Sequence, residues 1–447
     1  MQLPHLAATW ILAAAASAQD WPTWRGPNHD GSTEATGLPT DFDKEKHVAW
    51  AVDLPGPAAS TPIVVGERVY LTSIEEEAGA LLALCVDVES GEVLWERNAG
   101  SGYRAGGAGT PVRLHDRSNY ASPSPVSDGE RVVFFFGNGD LVCFTPDGER
   151  VWARNMQKDY GDFAFQWTFS ASPTLWEGRL YLQVLQRNEP VHDVGEPESP
   201  SFLLALDPRS GDELFRHLRP SDARVESLES YATPIPYVGA SGRKELLVAG
   251  GDVITGHDPK TGEELWRWGT WNPGHREIWW RLVPSAVTGA GVVLVCAPKT
   301  APVFAVRLDG SGELGEAGLA WKSDGRPNRV SSDVPTPLYY EGRFYVLSDV
   351  RESLARIVPE TGAIDWVIDM PGKKLWRASP TGADGKVWCM NHGGDVVVVD
   401  AENGKIVNQI AMGEEDDDGT RSTIAIAHGR LFIRTNSKLF CVGRGGA

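Results

Sequence analysis

The chain has 447 residues and a formal net charge of −18, with 49 Gly and 30 Pro placed between short apolar runs. This charge repels nucleic acid and anionic lipid, so the composition excludes non-specific binding to either and predicts no nucleic-acid partner. The runs between the turns are rich in Val, Leu, Trp and Tyr, which indicates a turn-dense β protein rather than a disordered one.

The N-terminal segment has the pattern of a signal peptide. Residues 6–16 are largely apolar, and Ala16-Ser17-Ala18 forms an A-x-A site for signal peptidase. No Cys follows this site to carry a lipid, and no later stretch approaches the ~20 apolar residues of a membrane span. We therefore predict a signal peptide over 1–18 and a secreted or periplasmic monomer with no membrane span.

Residues 19–45 are predicted to form an N-terminal extension. The stretch is rich in Pro, Gly and Asp, and its opening "WPTWRGPN" places two Trp within four residues. Exposed paired Trp side chains would favour aggregation. We therefore expect the extension to pack on the surface of the domain that follows, over 46–447.

A short motif recurs along that domain, as "VDVESGEVLW" (86–95), "LDPRSGDELF" (206–215) and "HDPKTGEELW" (257–266). The Asp opens a turn, a Gly with positive φ closes it, and the aromatic residue begins a new strand. Each copy therefore predicts a strand–turn–strand corner.

The strand-starting position recurs 42 to 63 residues apart, at Trp50, Trp95, Trp152, Phe215, Trp266, Trp321, Trp366 and Asn408. Each interval fits four short strands, as in a β-propeller. Only three strands follow Asn408, so the strand around Trp50 is expected to complete the last blade and remove two free edges. The prediction is an all-β, eight-bladed propeller of four-stranded antiparallel blades, closed by the N-terminal strand.

A Ser/Thr-Pro step recurs where the chain is expected to enter each blade, as in "STPIV" (60–64) and "ATPI" (232–235). The residues three before each Pro should form a ring around one mouth of the central channel. They are Ala59, Tyr120, Ser170, Tyr231, Arg281, Val334, Arg377 and, in the copy without Pro, Arg421.

This ring supplies the candidate binding residues Arg281, Arg377, Arg421, Tyr120 and Tyr231, with Asp333 beside them in sequence. Such a mouth would face an anion or a polar, flat ligand. The alternative is that the arginines and Asp333 tie neighbouring blades together. The nearby Trp279, Trp280 and Trp376 would either stack on a ligand or pack between blades.

The repeated "DPKTGEELW", "DPRSGDELF" and "PETGAIDW" resemble the pyrroloquinoline-quinone-like (PQQ-like) repeat propellers, from Trp21 to the C-terminus. That family includes quinoprotein alcohol dehydrogenases and the propeller lipoprotein of outer-membrane β-barrel assembly, and "WPTWRGPNHDGSTEATGLP" is similar to the start of secreted planctomycete-type members. The resemblance implies that each repeat aromatic docks one blade on the next, whether or not a cofactor is bound.

Enzyme motifs are absent from the sequence. It has no Cys-Cys pair, no C-x-x-C-H, no H-E-x-x-H and no G-x-S-x-G. The "EEDDDG" loop (414–419) matches the start of a calcium-loop template but has Ala425 where Glu is needed, so a solvated acidic loop is favoured. His392 is interpreted as a turn residue rather than a ligand. Buried thiols are predicted for the five cysteines, Cys85, Cys143, Cys296, Cys389 and Cys441.

Two functions therefore remain open. The favoured one is a non-catalytic binding or interaction scaffold that expects no cofactor and no metal, with a protein or envelope partner on one face or a small anionic ligand in the channel. The alternative is a quinoprotein-type oxidoreductase for alcohols or sugars, with pyrroloquinoline quinone and Ca²⁺ at the channel. Carbohydrate binding or cleavage is a third reading, which the Trp and Tyr residues at the mouth allow but for which the sequence offers no carboxylate pair at a suitable separation.

Overall fold

The computed structural model describes residues 19–106, 113–115, 118–269, 271–415 and 417–443, so the predicted signal peptide lies outside the described residues. Its strands form eight sheets with four strands in sequential antiparallel order, and the fourth sheet carries one further strand. The first strands of neighbouring blades contact one another around a central channel. The predicted eight-bladed propeller is thereby confirmed.

The first four blades follow each other along the chain. Blade one contains β2 (Ile63–Val65), β3 (Arg68–Glu75), β4 (Ala80–Asp87) and β5 (Val93–Asn98), after an N-terminal strand β1 (Val48–Asp53). A hairpin of β6 (Arg113–His115) and β7 (Ser118–Asn119) leads to blade two, which contains β8 (Val126–Ser127), β9 (Val132–Phe135), β10 (Asp140–Phe144) and β11 (Arg150–Asn155). Blade three contains β12 (Thr174–Trp176), β13 (Arg179–Val184), β14 (Phe202–Leu206) and β15 (Glu213–Leu218). Blade four contains β16 (Ile235–Val238), β17 (Lys244–Gly250), β18 (Val253–His257) and β19 (Glu264–Trp268).

The remaining blades complete the ring. Blade five contains β20 (Val287–Gly289), β21 (Val292–Cys296), β22 (Val303–Arg307) and β24 (Leu319–Lys322), while the intervening β23 (Gly312–Glu313) pairs in parallel with β19. Blade six contains β25 (Leu338–Tyr340), β26 (Arg343–Ser348), β27 (Ser353–Ile357) and β28 (Ile364–Asp369). Blade seven contains β29 (Thr381–Ala383), β30 (Lys386–Met390), β31 (Asp395–Asp400) and β32 (Ile406–Ala411). Blade eight contains β33 (Ala425–Ala427), β34 (Arg430–Arg434) and β35 (Lys438–Val442).

Helical structure is confined to short pieces. These are α1 (Met156–Tyr160) and 3₁₀ turns at Val225–Leu228, Pro273–His275 and Gly315–Gly318. No helix within the described ranges is long and apolar enough to cross a membrane.

Strand β1 closes the ring as predicted. It pairs antiparallel with β35, with Val52 opposite Leu439, and so becomes the fourth strand of blade eight. The chain thereby joins its first and last strands in one sheet, and β35 is no longer an edge strand because β1 covers its outer side.

The repeated motif joins neighbouring blades, as it does between blades eight and one. In blade one, the Asp87 carboxylate accepts the backbone N–H of Ser90 at 2.8 Å, and Gly91 has a φ of +75°. A Cβ on Gly91 would come within 2.6 Å of the Trp50 ring, while the Trp50 indole N–H donates to the Val88 carbonyl at 3.0 Å. The glycine therefore serves both the turn and the close approach of the aromatic ring.

The interior strands are apolar on both faces because each blade is packed between two others. Every residue of β4 from Ala80 to Val86 is buried, whereas β5 alternates between exposed residues and the buried Trp95. All five cysteines are buried free thiols, as predicted. Burial of Cys85, for example, raises its pKa to about 12, which makes this thiol unreactive at neutral pH.

The N-terminal extension crosses one end of the channel. Trp21 is fully buried and exchanges backbone hydrogen bonds with Val64 of blade one, and Gly31 accepts from Gly382 of blade seven. Between them, the fully buried Arg25 guanidinium donates to the carbonyl of Pro337 at 2.8 Å and to that of Pro380 at 3.1 Å, joining blades six and seven. The extension is thus an integral part of the closed structure.

Candidate functional site

A ring of hydroxyl groups surrounds the channel where the chain enters the blades. The backbone N–H of the Ser or Thr in one blade donates to the hydroxyl oxygen of the next, as from Thr61 to Ser124 at 2.8 Å and from Thr423 back to Thr61 at 3.1 Å. We call this set the hydroxyl ring, and it consists of Thr61, Ser124, Ser172, Thr233, Ser285, Thr336, Ser379 and Thr423.

The hydroxyl ring lines a cavity of about 410 Å³ on the propeller axis. Trp24, from the N-terminal extension that crosses one end of the channel, also lines this cavity, and Trp167 and Trp279 contribute further aromatic surface. The volume falls within the range of roughly 300–1,000 Å³ that is typical of small-molecule sites. The site therefore has the size and position of a ligand pocket.

Four cationic side chains line the same cavity, and we call them the cationic rim: Arg281, Lys299, Arg377 and Arg421. Among the described lining residues, Glu226 is the one carboxylate. A chain with a net charge of −18 thus concentrates positive charge at its axis. Such a cluster of charged donors favours anionic groups with several oxygens.

Arg281 is held by a carboxylate of the neighbouring blade. Its two terminal nitrogens lie 2.8 and 2.9 Å from the two oxygens of Asp333, and the backbone N–H of Lys299 donates to the same carboxylate at 2.7 Å. Burial acts to raise the pKa of Asp333, but the bonded Arg281 outweighs it and the pKa is lowered. Asp333 therefore stays ionised and fixes Arg281 at the cavity wall.

Arg377 makes a second tie between blades six and seven. Its Nε lies 3.4 Å from Oδ2 of Asp349 without hydrogen-bond geometry, while Oδ1 of Asp349 accepts the backbone N–H of Asp333. Burial, with the nearby Asp333 charge, raises the pKa of Asp349. Close by, burial and the charges of Arg421 and Arg377 lower the pKa of His392 to about 3, so this imidazole is neutral.

A buried network supports the opposite wall. Glu229 is fully buried, pairs with Arg187 and accepts the Tyr231 hydroxyl hydrogen at 2.5 Å. Tyr231 in turn accepts the backbone N–H of Trp167 at 3.1 Å, and the Trp167 indole donates to Glu226 at 3.3 Å. Burial raises the pKa of Glu229 to about 7. This carboxyl therefore titrates near neutrality, one residue removed from the cavity.

Four of the six candidate binding residues line the cavity, namely Tyr231, Arg281, Arg377 and Arg421, and Asp333 is bonded directly behind Arg281. The structure places Tyr120 elsewhere. It is 4% exposed, its carbonyl accepts from Gly137, and the Arg104 guanidinium lies 5.7 Å from its ring.

The register of the hydroxyl ring explains the displacement of Tyr120. Counting two residues back from Ser124 gives Ser122, which does line the cavity. In blade five the same count gives Val283, and Arg281 reaches the cavity from two residues earlier because its side chain is long. Of the three neighbouring Trp residues, Trp279 lines the cavity and is 52% exposed, whereas Trp376 is buried in the core.

Sequence reasoning missed Lys299, Glu226 and Trp24. Lys299 lies in the loop between β21 and β22, Glu226 in a 3₁₀ turn before β16, and Trp24 in the N-terminal extension. None of these segments repeats from blade to blade, so no periodic signal marks them. The Ser/Thr-Pro step did mark the hydroxyl ring, but only as a landmark of blade entry.

No group of three or more His, Cys, Asp or Glu side chains suited to a metal ion occurs within the described residues. The acidic loop at 414–419 is engaged in local structure, since Asp417 accepts the backbone N–H groups of Glu414 and Asn436. His392 donates and accepts only backbone hydrogen bonds, to Leu375 and from Gly419 and Thr420. Both segments join blades seven and eight.

Fold and repeat together define a PQQ-like repeat propeller with a cationic cavity on its axis. A family model described as outer membrane protein assembly factor BamB matches residues 34–191, 121–301 and 249–446. The chain belongs to this family. The three overlapping matches reflect the repetition of similar blades along the sequence.

Solved structures of assembly factors and of alcohol dehydrogenases share the fold of this chain. BamB from Moraxella catarrhalis superposes with a TM-score of 0.60 at 12% identity, over 89% of this chain and 99% of that one. Quinohemoprotein alcohol dehydrogenase from Comamonas testosteroni gives 0.65 at 12% identity, over 97% of this chain and 82% of that one. At these identities the likeness establishes the fold alone.

One curated relative matches part of the chain. It is a polyvinylalcohol dehydrogenase from Pseudomonas sp, 25% identical over 224 residues, which are 48% of this chain. The match spans 30% of the length of that dehydrogenase. The family thus contains both assembly factors and dehydrogenases.

Proposed function

We propose that the protein is a secreted or periplasmic binding scaffold that takes a small organic anion into the cavity on its axis, without catalysis. The observation that carries this proposal is the convergence of the four rim cations on a pocket that holds a single described carboxylate. Like charges that line one pocket repel one another, and an anion bound among them relieves that repulsion. The closed ring of blades provides a rigid frame for such a site.

The charge distribution supports a ligand that has an anionic group and further oxygen atoms around it. Arg281 is already paired with Asp333 and Arg377 lies beside Asp349, so these two cations are half neutralised. Lys299 and Arg421 add positive charge to the same cavity, and the hydroxyl ring adds neutral donors around it. Several donors spread around one pocket suit an anion that presents oxygens in several directions.

The face around the cavity also supports the interaction part of this proposal. Trp279, Val350 and Leu375 are exposed apolar side chains in segments adjoining the cationic rim. Exposed apolar side chains beside polar groups are typical of interaction surfaces. A protein or envelope partner would therefore dock over the mouth rather than on the acidic outer turns.

A quinoprotein oxidoreductase is the second candidate, favoured by the partial likeness to polyvinylalcohol dehydrogenase. The cationic rim fits the three carboxylates of pyrroloquinoline quinone, and Trp279 offers a flat surface. The Ca²⁺ that accompanies this cofactor fits less well, because Asp333 and Asp349 face arginines and Glu226 is the one described carboxylate in the lining. The site therefore favours binding of the carboxylates over redox chemistry.

Calorimetric titration of the full chain separates these functions. We expect citrate, a small tricarboxylate, to bind and to raise the melting temperature, and we expect Arg421→Ala to weaken this binding at least tenfold. Arg209→Ala is the matched control, because Arg209 is 72% exposed on an outer turn. If neither citrate nor the quinone binds, the proposed function is wrong.

The same preparation tests the alternative. The quinone is added with and without Ca²⁺, and dye-linked oxidation of alcohols and sugars is followed. Binding of the quinone without oxidation supports the binding function, whereas Ca²⁺-dependent oxidation would establish the oxidoreductase instead.

A further inference from the structure

We propose that the ligand of the axial cavity is a sugar acid, a uronic acid unit whose carboxylate meets the cationic rim and whose hydroxyls meet Glu226 and the hydroxyl ring. This inference rests on the proposed function and goes beyond it by naming the class of anion. It is carried by the mixture of group types in the cavity: four cations, one acceptor carboxylate, the eight hydroxyls of the hydroxyl ring and exposed aromatic surface.

The hydroxyl ring is a set of hydrogen-bond donors toward the cavity. In seven of the eight blades the Ser or Thr oxygen accepts a backbone N–H at 2.8 to 3.1 Å. A hydroxyl carries one donor hydrogen besides its acceptor lone pairs. Because an acceptor position is occupied on seven of the eight oxygens, these O–H groups are suited to donate to ligand oxygens, and a polyhydroxylated ring presents such oxygens on all sides.

Glu226 is a hydrogen-bond acceptor at the cavity wall, so it suits a donor group on the ligand. Its Oε1 accepts the Trp167 indole N–H at 3.3 Å and lies 4.0 Å from Nε of Arg281. Within the described part of the chain, its Oε2 accepts no hydrogen bond from a side chain. An ionised carboxylate is an acceptor only, so this corner of the cavity suits a ligand that donates. A ligand made only of carboxylates would be repelled there.

The donor on the ligand is expected to be a hydroxyl rather than an ammonium group. The same cavity holds Arg281, Lys299, Arg377 and Arg421, and an ammonium group would be repelled by all four. A hydroxyl donates without carrying a positive charge, which excludes amino acids and favours hydroxy acids. Sugar acids combine a carboxylate with several hydroxyls in one small molecule.

Aromatic surface at the cavity matches a pyranose ring. Trp279 lines the cavity with 52% of its surface exposed, and Trp167 is fixed by an edge contact with His115 at 5.2 Å between ring centroids. A tryptophan ring offers a flat apolar face with a polar N–H at its edge, which suits a ring with C–H groups on its faces and hydroxyls at its rim. The cavity volume of about 410 Å³ admits such a ring.

Backbone strain marks the same residues. Thr168, next to Trp167, has a φ of +79°, Val225, next to Glu226, has +54°, and Lys299 itself has +61°. Left-handed conformations are unfavourable for β-branched residues and persist where the surrounding structure enforces them, commonly at functional sites. Trp167, Glu226 and Lys299 therefore lie at or next to residues with left-handed backbone.

The test compares three probes on the full chain by calorimetric titration: galacturonate, galactose and citrate. We expect galacturonate to bind at least tenfold more tightly than galactose, which lacks the carboxylate. Glu226→Gln should weaken galacturonate binding about tenfold, as loss of a hydrogen bond to a charged group does, and should strengthen citrate binding because a repelling charge is removed. Glu277→Gln, an exposed position in the loop that carries Trp279, is the matched control and should change neither.

The melting temperatures of Glu226→Gln and Glu277→Gln show separately whether either variant is misfolded. Trp279→Ala, at an exposed residue, gives a second test that does not depend on Glu226. This variant should weaken the binding of galacturonate and leave the binding of citrate nearly unchanged. Citrate binding without galacturonate binding overturns the sugar-acid inference and leaves the proposed function standing. If neither galacturonate nor citrate binds, the sugar-acid inference and the proposed function are both wrong. A Glu226→Gln variant that weakens both probes equally also overturns the inference.

Discussion

Replacing Arg377 by Ala tests whether this residue ties two blades together as well as binding anions. Its partner Asp349 is 1% exposed and lies 3.4 Å from Arg377. Removing one member of a buried ion pair costs about 3–5 kcal/mol because the other charge is left uncompensated. Here Arg377 is 17% exposed and Asp349 keeps the N–H bond from Asp333. We therefore expect a smaller loss in the free energy of unfolding, about 2–3 kcal/mol at pH 8.

The loss should depend on pH in a defined direction. Burial already raises the pKa of Asp349, and removal of the neighbouring cation raises it further. When a carboxyl has a higher pKa in the folded state, the folded protein binds the extra proton, and stability falls as pH rises from the unfolded pKa to the folded one. The difference between the Arg377→Ala variant and the parent protein should therefore be larger at pH 8 than at pH 4.5.

A double variant completes the test. Asn at position 349 keeps an acceptor oxygen for the Asp333 N–H but removes the charge. Urea unfolding followed by tryptophan fluorescence should show that Asp349→Asn restores most of the stability lost in Arg377→Ala and removes its pH dependence. Citrate binding should stay weak in the double variant, because the rim has still lost a cation.

The matched control is Arg343→Ala. Its ion pair with Asp365 is shorter, at 2.8 Å, but about one third exposed, so we expect a loss below about 1 kcal/mol at either pH. The reasoning is refuted if Arg377→Ala costs no more than Arg343→Ala, or if its cost is the same at pH 4.5 and pH 8. If stability falls as expected while citrate binding is unchanged, Arg377 is a tie between blades alone.

Three further predictions follow from the fold. Glu229→Gln should flatten the pH dependence of the melting temperature between pH 5 and 8, because burial raises the pKa of Glu229 to about 7 and a folded-state pKa above the unfolded value lowers stability as pH rises; an unchanged slope would contradict this. Gly91→Ala should destabilise more than Gly66→Ala in urea unfolding by about 1–3 kcal/mol, since both have positive φ but only Gly91 would place a Cβ against Trp50. Deleting residues 20–52 removes β1 and should cause aggregation or unfolding in light scattering and circular dichroism, whereas a monomer with the parent melting temperature would refute the closure model.

The number of blades and the docking between them were predictable because both depend on local chemistry. An Asp side chain that caps its own turn and a Gly with positive φ occur within five residues of each other, so the sequence shows each corner directly. The one copy without an aromatic residue has a structural reason. Asn408 donates to the Thr40 carbonyl at 2.8 Å, because blade eight is made from both chain ends and has no turn for an aromatic ring to cover.

The candidate site was predictable in part. Alignment on Pro gave the right segment in the seven blades that have a Pro, but it shifted the register in blade two, where Pro123 and Pro125 both follow a Ser, and in blade five, where Pro284 precedes Ser285. The hydrogen bonds between blades decide the register, and they involve the Ser or Thr rather than the Pro. A contact between residues about 50 positions apart in the chain leaves no mark in the local sequence, so Tyr120 was assigned a place that Ser122 occupies.

The residues that break the repeat carry the information about the ligand. The hydroxyl ring has the same chemistry in all eight blades, as expected of groups that hold neighbouring blades in register. The position two residues earlier does not repeat: it is Ala59, Ser122 and Ser170 in the first three blades and Arg377 and Arg421 in the last two. A structural requirement acts equally on every blade, whereas a ligand without eightfold symmetry contacts each blade differently. Under the proposed function, the positive charge on one side of the cavity would orient the bound anion, with its charged end toward blades five, seven and eight and its uncharged part toward the others.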